Sequence, residues 1–255
     1  MTDAPSWPTI WGVPEASTAF LLRSRLAEHD GPLLHVARDD AAVAAVADVM
    51  AYMMPEVDVL RFPAWDCLPY DRVSPNPAIV AERASTLTRL LEKSKSRRGV
   101  LTTAHALVQR VPPRASFEGQ ALSIRTGESL DPSMLVELLV ASGYTRTDTV
   151  MEAGEFATRG GIFDLYPAAE SEPIRLDLFG DEVENIRRFD VATQRSTGEL
   201  RQFDLRPVSE YALGPDAISR FRTGWRDLFG PSATSDTIYE NVSDGRRYPG
   251  LDHYV

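Results

Sequence analysis

Tyr144-Thr-Arg-Thr-Asp148, Gly154-Glu-Phe-Ala-Thr-Arg159-Gly-Gly-Ile-Phe-Asp-Leu-Tyr166-Pro and Ile174-Arg-Leu-Asp-Leu-Phe-Gly-Asp-Glu-Val-Glu-Asn-Ile-Arg-Arg-Phe189-Asp are short apolar runs broken by glycine-bearing turns. Ile174, Leu176 and Leu178 alternate with Arg175, Asp177 and Phe179, the two-residue period of a strand buried on one face. Gly180-Asp181-Glu182 supplies a hairpin turn into the next run. Gly160-Gly161 can take positive φ or let two backbones approach closely. The segment reads as a small sheet carrying many exposed arginines.

The residues around it complete a second unit. Pro112-Pro113 marks a boundary, and Gln120 to Ile124 reads as an entering strand. Asp131 is a good helix N-cap with Pro132 at the first helical position. Leu135, Leu138 and Leu139 line one face until Gly143 ends the helix. Between residues 118 and 206 acidic residues outnumber basic ones, and every basic residue is arginine. Arginines on so acidic a module suit carboxylates of a protein partner better than nucleic acid. After Pro207 the pattern turns helical: Asp216 to Phe229 aligns Ile218, Phe221, Trp225 and Leu228, and Thr234 to Val242 suggests another helix. The sequence from Asp244 runs on without a natural ending, so a longer parent is expected.

Upstream, residues 1–115 read as α/β. Trp7 to Trp11 is a short apolar start, and Glu15 to Glu28 has helical spacing with Ala19, Leu22 and Leu26 on one stripe. Leu33 to Ala37 suits a buried strand; Asp39-Asp40 open an alanine- and valine-rich helix through Met50. Val57 to Arg61 is a third strand. Pro75 and Pro77 start a helix aligning Val80, Ala84, Leu87 and Leu91, and Gly99 to Thr103 is a fourth strand. Strands alternating with helices imply a parallel sheet with helices on its faces.

Composition excludes several classes. The net charge is −10, which argues against a chain whose main task is binding phosphate backbones. Lys93 and Lys95 are the only lysines, so basic sites here are planar guanidinium forks. Cys67 stands alone, which rules out an intramolecular disulfide and a multi-cysteine metal site. No run approaches a membrane span, and the start is not a secretory signal; the expected location is cytoplasmic.

Catalytic and cofactor sites are not found. Gly12-Val-Pro-Glu-Ala-Ser-Thr18 lies where a phosphate-binding loop would sit, but Ser17 and Thr18 replace the required Gly and Lys. Pro14 removes a donor amide and Glu15 repels an anion. His29, His35, His105 and His253 have no metal-ligand spacing. Asp66 and Asp71 bracket a loop, with no nucleophile or base to complete them. That loop, Phe62 to Asp71, is either a binding loop at a sheet edge or a crossover pinned by Trp65 and Tyr70 on the sheet; the second is the better reading. The expectation is a non-enzymatic chain with no catalytic residue, metal or cofactor of its own.

Four stretches resemble the N-terminal region of the bacterial transcription-repair coupling factors (Mfd): Trp65-Asp-Cys-Leu-Pro-Tyr70-Asp, Val100-Leu-Thr-Thr103 through Gln109-Arg110-Val111, and above all Val150-Met-Glu-Ala-Gly154-Glu-Phe-Ala-Thr-Arg159-Gly and Phe179-Gly-Asp-Glu-Val-Glu-Asn-Ile-Arg187. The second module is similar to one in the excision-repair helicase UvrB, which carries the intact phosphate loop this sequence lacks. The resemblance implies a degenerate helicase-like parallel-sheet α/β domain (1–115), an inserted small α+β UvrA-interaction module (116–208) and a return to the first domain (209–255), truncated. It implies an adaptor that recruits UvrA in transcription-coupled nucleotide excision repair. RNA polymerase binding, DNA binding and the ATP- and Mg-dependent translocase motor would lie elsewhere in the full-length parent, and a C-terminal domain there would mask the UvrA surface. Arg146 and Arg159 match arginines with which UvrB contacts UvrA, and a further such arginine falls on Ala157. Phe156 matches an aromatic of the same patch, either contact or core; Arg175, Arg187 and Arg188 are weaker candidates. The alternative reading is a nucleotide- or DNA-binding helicase fragment with its own activity.

Overall fold

The computed structural model describes residues 12–14, 17–167 and 170–254. The apolar start at Trp7–Trp11 and the onset of a helix at Glu15 lie outside the described residues. The chain divides into two compact units, Met1–Pro63 with Ser94–Val108, and Ala64–Lys93 with Gln109–Val255.

In the first unit, α1 (Thr18–Glu28) buries Ala19, Leu22 and Leu26 on one stripe, as their spacing requires. β1 (Leu33–Ala37), β2 (Asp58–Phe62) and β3 (Arg98–Thr103) form a parallel sheet in the order β1-β3-β2. Asp39 caps α2 (Asp40–Met53), its carboxylate accepting the Ala42 amide at 2.8 Å. Val43, Val46 and Met50 of α2 join Leu101 of β3 in the core. β3 lies between the other two strands, buried along nearly its whole length, and runs into the single turn α4 (Ala104–Leu107). β1 corrects the expectation of a buried strand. It pairs with β3 on one side, and Leu34 and Val36 on one face are 55% and 42% exposed. A continuous apolar run does not reveal whether both faces will be covered.

The second unit includes α3 (Pro77–Leu91), capped by the Asn76 side chain, and a two-stranded antiparallel pair, β4 (Leu122–Arg125) with β11 (Gln202–Leu205). Asp131 caps α5 (Pro132–Ala141), accepting amides from Ser133 and Met134. The central segment forms a six-stranded sheet of β5 (Thr145–Arg146), β6 (Glu155–Arg159), β7 (Ile162–Leu165), β8 (Ile174–Phe179), β9 (Glu182–Phe189) and β10 (Ser196–Leu200), in the order β10-β9-β8-β7-β6-β5. All neighbours are antiparallel except β5 and β6.

Register sorts the side chains of this sheet. Thr158, Phe163, Leu176, Ile186 and Leu200 stand opposite one another across five strands, and Phe156, Leu165 and Ile174 form the next row. The apolar residues of these rows pack with Leu135 and Leu139 of α5 and with Ile124, Phe203 and Leu205. The intervening row, Ala157, Asp164, Arg175, Arg187 and Glu199, lies on the other face. The two glycines between β6 and β7 divide their work. Gly160 has φ +61° in the turn, while a Cβ on Gly161 would lie 2.3 Å from the Leu178 carbonyl oxygen.

A second cluster joins α6 (Pro215–Phe229) and α7 (Thr237–Ser243) through Phe221, Trp225, Tyr239 and Val242. Leu228, expected in that stripe, is 77% exposed; Phe229 packs at a tilt against Trp225 instead, with ring centroids 4.7 Å apart. Within this unit Arg83 is fully buried and forks Glu210, Nε donating at 2.6 Å and Nη2 at 3.3 Å. Arg83 also donates to Gln109 Oε1 at 3.0 Å, and Trp65 Nε1 donates to Glu210 at 2.9 Å. The loop reading is thereby corrected: Trp65 is held by this polar network and by the His253 ring, while Tyr70 is 71% exposed and touches the rings of His253 and Tyr254.

Candidate partner interface

β5 is the terminal strand of the six-stranded sheet, and Arg146 stands on it in register with Phe156 of β6. Arg146 Nη2 donates to Thr158 Oγ1 at 2.8 Å. Arg159 closes β6 and reaches back to the segment after β5, its Nη2 donating to the Asp148 carbonyl and to Thr149 Oγ1 at 2.9 Å. Both side chains are exposed. The fold brings the two arginines to one sheet edge, around Thr147–Thr149.

The remaining candidates fall elsewhere. Phe156 is fully buried in the module core. It packs with Leu135 and Leu139 of α5, so of the two places open to it, contact or core, it takes the core, in register with Arg146 on the neighbouring strand. Arg175 is engaged internally, forking Asp164 at 2.6 and 2.8 Å and lying 4.6 Å over the Phe189 ring. Its hydrogen bonds to the Asp164 carboxylate hold its guanidinium above the usual range. Arg187 pairs with Asp177, and Arg188 with Glu170 at 3.4 Å. These three arginines are largely committed to carboxylates of their own module.

Arg146 and Arg159 differ in the nature of their partners. The oxygens that fix them are hydroxyls and a backbone carbonyl, all neutral, so their charge is held in place without being cancelled. Among the described residues of the module, Arg195 and Arg201 also lack a carboxylate partner, but no side-chain hydrogen bond orients them. An oriented, uncompensated guanidinium is suited to forking an incoming carboxylate. The neutral acceptors Thr149 and Thr158 were not singled out from sequence; a threonine two residues along an arginine-bearing strand carries no distinctive signal until the register is known.

Residues 122–211 match the family described as UvrB interaction domain, a span that contains the sheet, α5 and both arginines. The chain is also similar to transcription-repair-coupling factors over most of its own length. It is 35% identical to the Escherichia coli protein of that name over 240 residues, 94% of this chain and 21% of the relative. The Haemophilus influenzae protein is 33% identical over 91% of the chain, and the Rickettsia bellii protein 34% identical over 80%. The chain spans about a fifth of the length of these curated relatives.

Proposed function

We propose that this chain is an adaptor region that docks UvrA through the β5–β6 edge and brings it to stalled RNA polymerase in transcription-coupled nucleotide excision repair. The observation that carries the reading is the pair Arg146 and Arg159, oriented by neutral oxygens and hydrogen-bonded to no carboxylate. The match of residues 122–211 to the UvrB interaction domain supports this module as the one that makes the contact. In this reading residues 1–115 are a helicase-like scaffold, 116–208 the contact module and 209–255 the return to the scaffold. The chain itself performs no catalysis. Polymerase binding, DNA binding and ATP- and Mg-driven translocation belong to the rest of the parent, where a C-terminal domain covers the contact edge at rest.

Competition tests this. UvrB should displace the chain from UvrA at a single shared site, and simultaneous binding of both without mutual loss of affinity contradicts the reading. The masking part has its own check: the isolated chain should bind UvrA more tightly than the parent does, and equal affinity argues against a cover.

A further inference from the structure

The segment between β5 and β6, Thr147 to Gly154, is shaped by the strands it joins. Glu155, the first residue of β6, turns its carboxylate back into the loop, where one oxygen, Oε2, accepts the Met151 amide at 2.7 Å and the Glu152 amide at 2.9 Å. Arg159 ties the opposite end through the Asp148 carbonyl and Thr149 hydroxyl, and Thr147 Oγ1 donates to the Thr149 carbonyl at 3.2 Å. Val150 is fully buried with Ala157 and Phe189, and its carbonyl accepts from Gln194. The backbone is therefore fixed immediately before and after Met151. Yet the Met151 side chain is 52% exposed. The loop's surface alternates in sign around it, with Arg146 and Arg159 at the roots and the exposed carboxylates Asp148 and Glu152 beside the tip.

We infer that Thr147–Gly154 is a pre-shaped recognition loop in which Met151 is the apolar anchor of the protein contact and Glu155 is the positioning residue that holds it out. The inference rests on the adaptor reading and adds to it the chemistry of the complementary surface. That surface is a protein segment with an apolar recess for a flexible thioether, carboxylates facing Arg146 and Arg159, and cationic or hydrogen-donating groups facing Asp148 and Glu152. Methionine adapts to irregular apolar recesses. Alternating charge around an apolar centre selects a partner by register. Asp148 and Glu152 repel a phosphodiester backbone, so the same loop discriminates against nucleic acid. Glu155 acts by holding two amides, which removes disorder that binding would otherwise have to freeze out.

Three variants of the 255-residue chain test this against UvrA. Met151→Ala should weaken binding at least fivefold while leaving the urea midpoint unchanged; unaltered affinity overturns the anchor. Glu155→Ala should weaken binding severalfold through faster dissociation and should remove hydrogen-exchange protection at the Met151 and Glu152 amides. Glu155→Gln keeps an oxygen that can accept both amides, so it should restore affinity and protection. Full affinity in Glu155→Ala, or no rescue by Gln, overturns the positioning role. If the wild-type chain fails to bind UvrA, the adaptor reading falls and the anchor with it. The exchange measurement then still decides whether Glu155 shapes the loop.

Discussion

At the scale of single residues, the same side-chain type serves opposite ends depending on what it meets. Arg175 meets Asp164, which is 4% exposed, and the pair is internal structure. Arg175→Met should leave that carboxylate buried and unpaired and destabilise the fold by about 3–5 kcal/mol, seen as a lower urea midpoint. Arg146 meets only a threonine hydroxyl, so Arg146→Ala should change stability little and show its effect in binding. Phe156 supplies the contrast: Phe156→Ala opens a cavity in the module core and should cost about 3–5 kcal/mol. Any loss of partner binding in that variant should follow the loss of fold. These differences were only partly legible in the sequence. The count and spacing of arginines were plain, but which of them would find a carboxylate depends on strand register, and Phe156 gave equal support to core and contact until the alternation of β6 was fixed by its neighbours.

At the scale of elements, local chemistry was read well where it acts locally. The Asp131-Pro132 start of α5, the alternation of β8 and the turn at Gly180 follow from propensity, period and permitted φ. Long-range effects were hidden. Nothing in Leu33–Ala37 says that the strand will have an exposed face, and Leu228 fits the α6 stripe by spacing although that helix ends there. The link from α5 to the strand after it offers a pH test. Tyr144 follows the turn that closes α5, is buried, and donates its hydroxyl to the Arg206 carbonyl at 3.0 Å. Burial pushes its phenol well above the ordinary value, with Arg206 opposing. Above about pH 10 the unfolded chain loses a proton that the folded chain keeps, so stability declines as pH rises. Tyr144→Phe should flatten that alkaline decline in urea unfolding, at a cost near neutrality of about 1 kcal/mol for the lost hydrogen bond.

At the scale of the whole molecule, residues far apart in sequence are tied by buried polar contacts that no local pattern announces. Arg83 and Glu210 are 127 positions apart, and Trp65 and Gln109 complete their network. Glu210→Ala should remove the carboxylate that balances the buried Arg83 charge and destabilise the second unit by about 3–5 kcal/mol, whereas Arg83→Leu combined with Glu210→Met should recover most of that loss in chemical unfolding. The network anchors Trp65 and the residues after β11 within the unit that carries the contact module. The pair Arg146 and Arg159 is the feature on which the adaptor account stands. The most direct measurement is a calorimetric titration of UvrA with the wild-type chain and with the Arg146→Ala/Arg159→Ala double variant, both confirmed folded by their urea midpoints. The account predicts wild-type binding weakened at least tenfold in the double variant, about 1.4 kcal/mol; undiminished binding by the variant would contradict it.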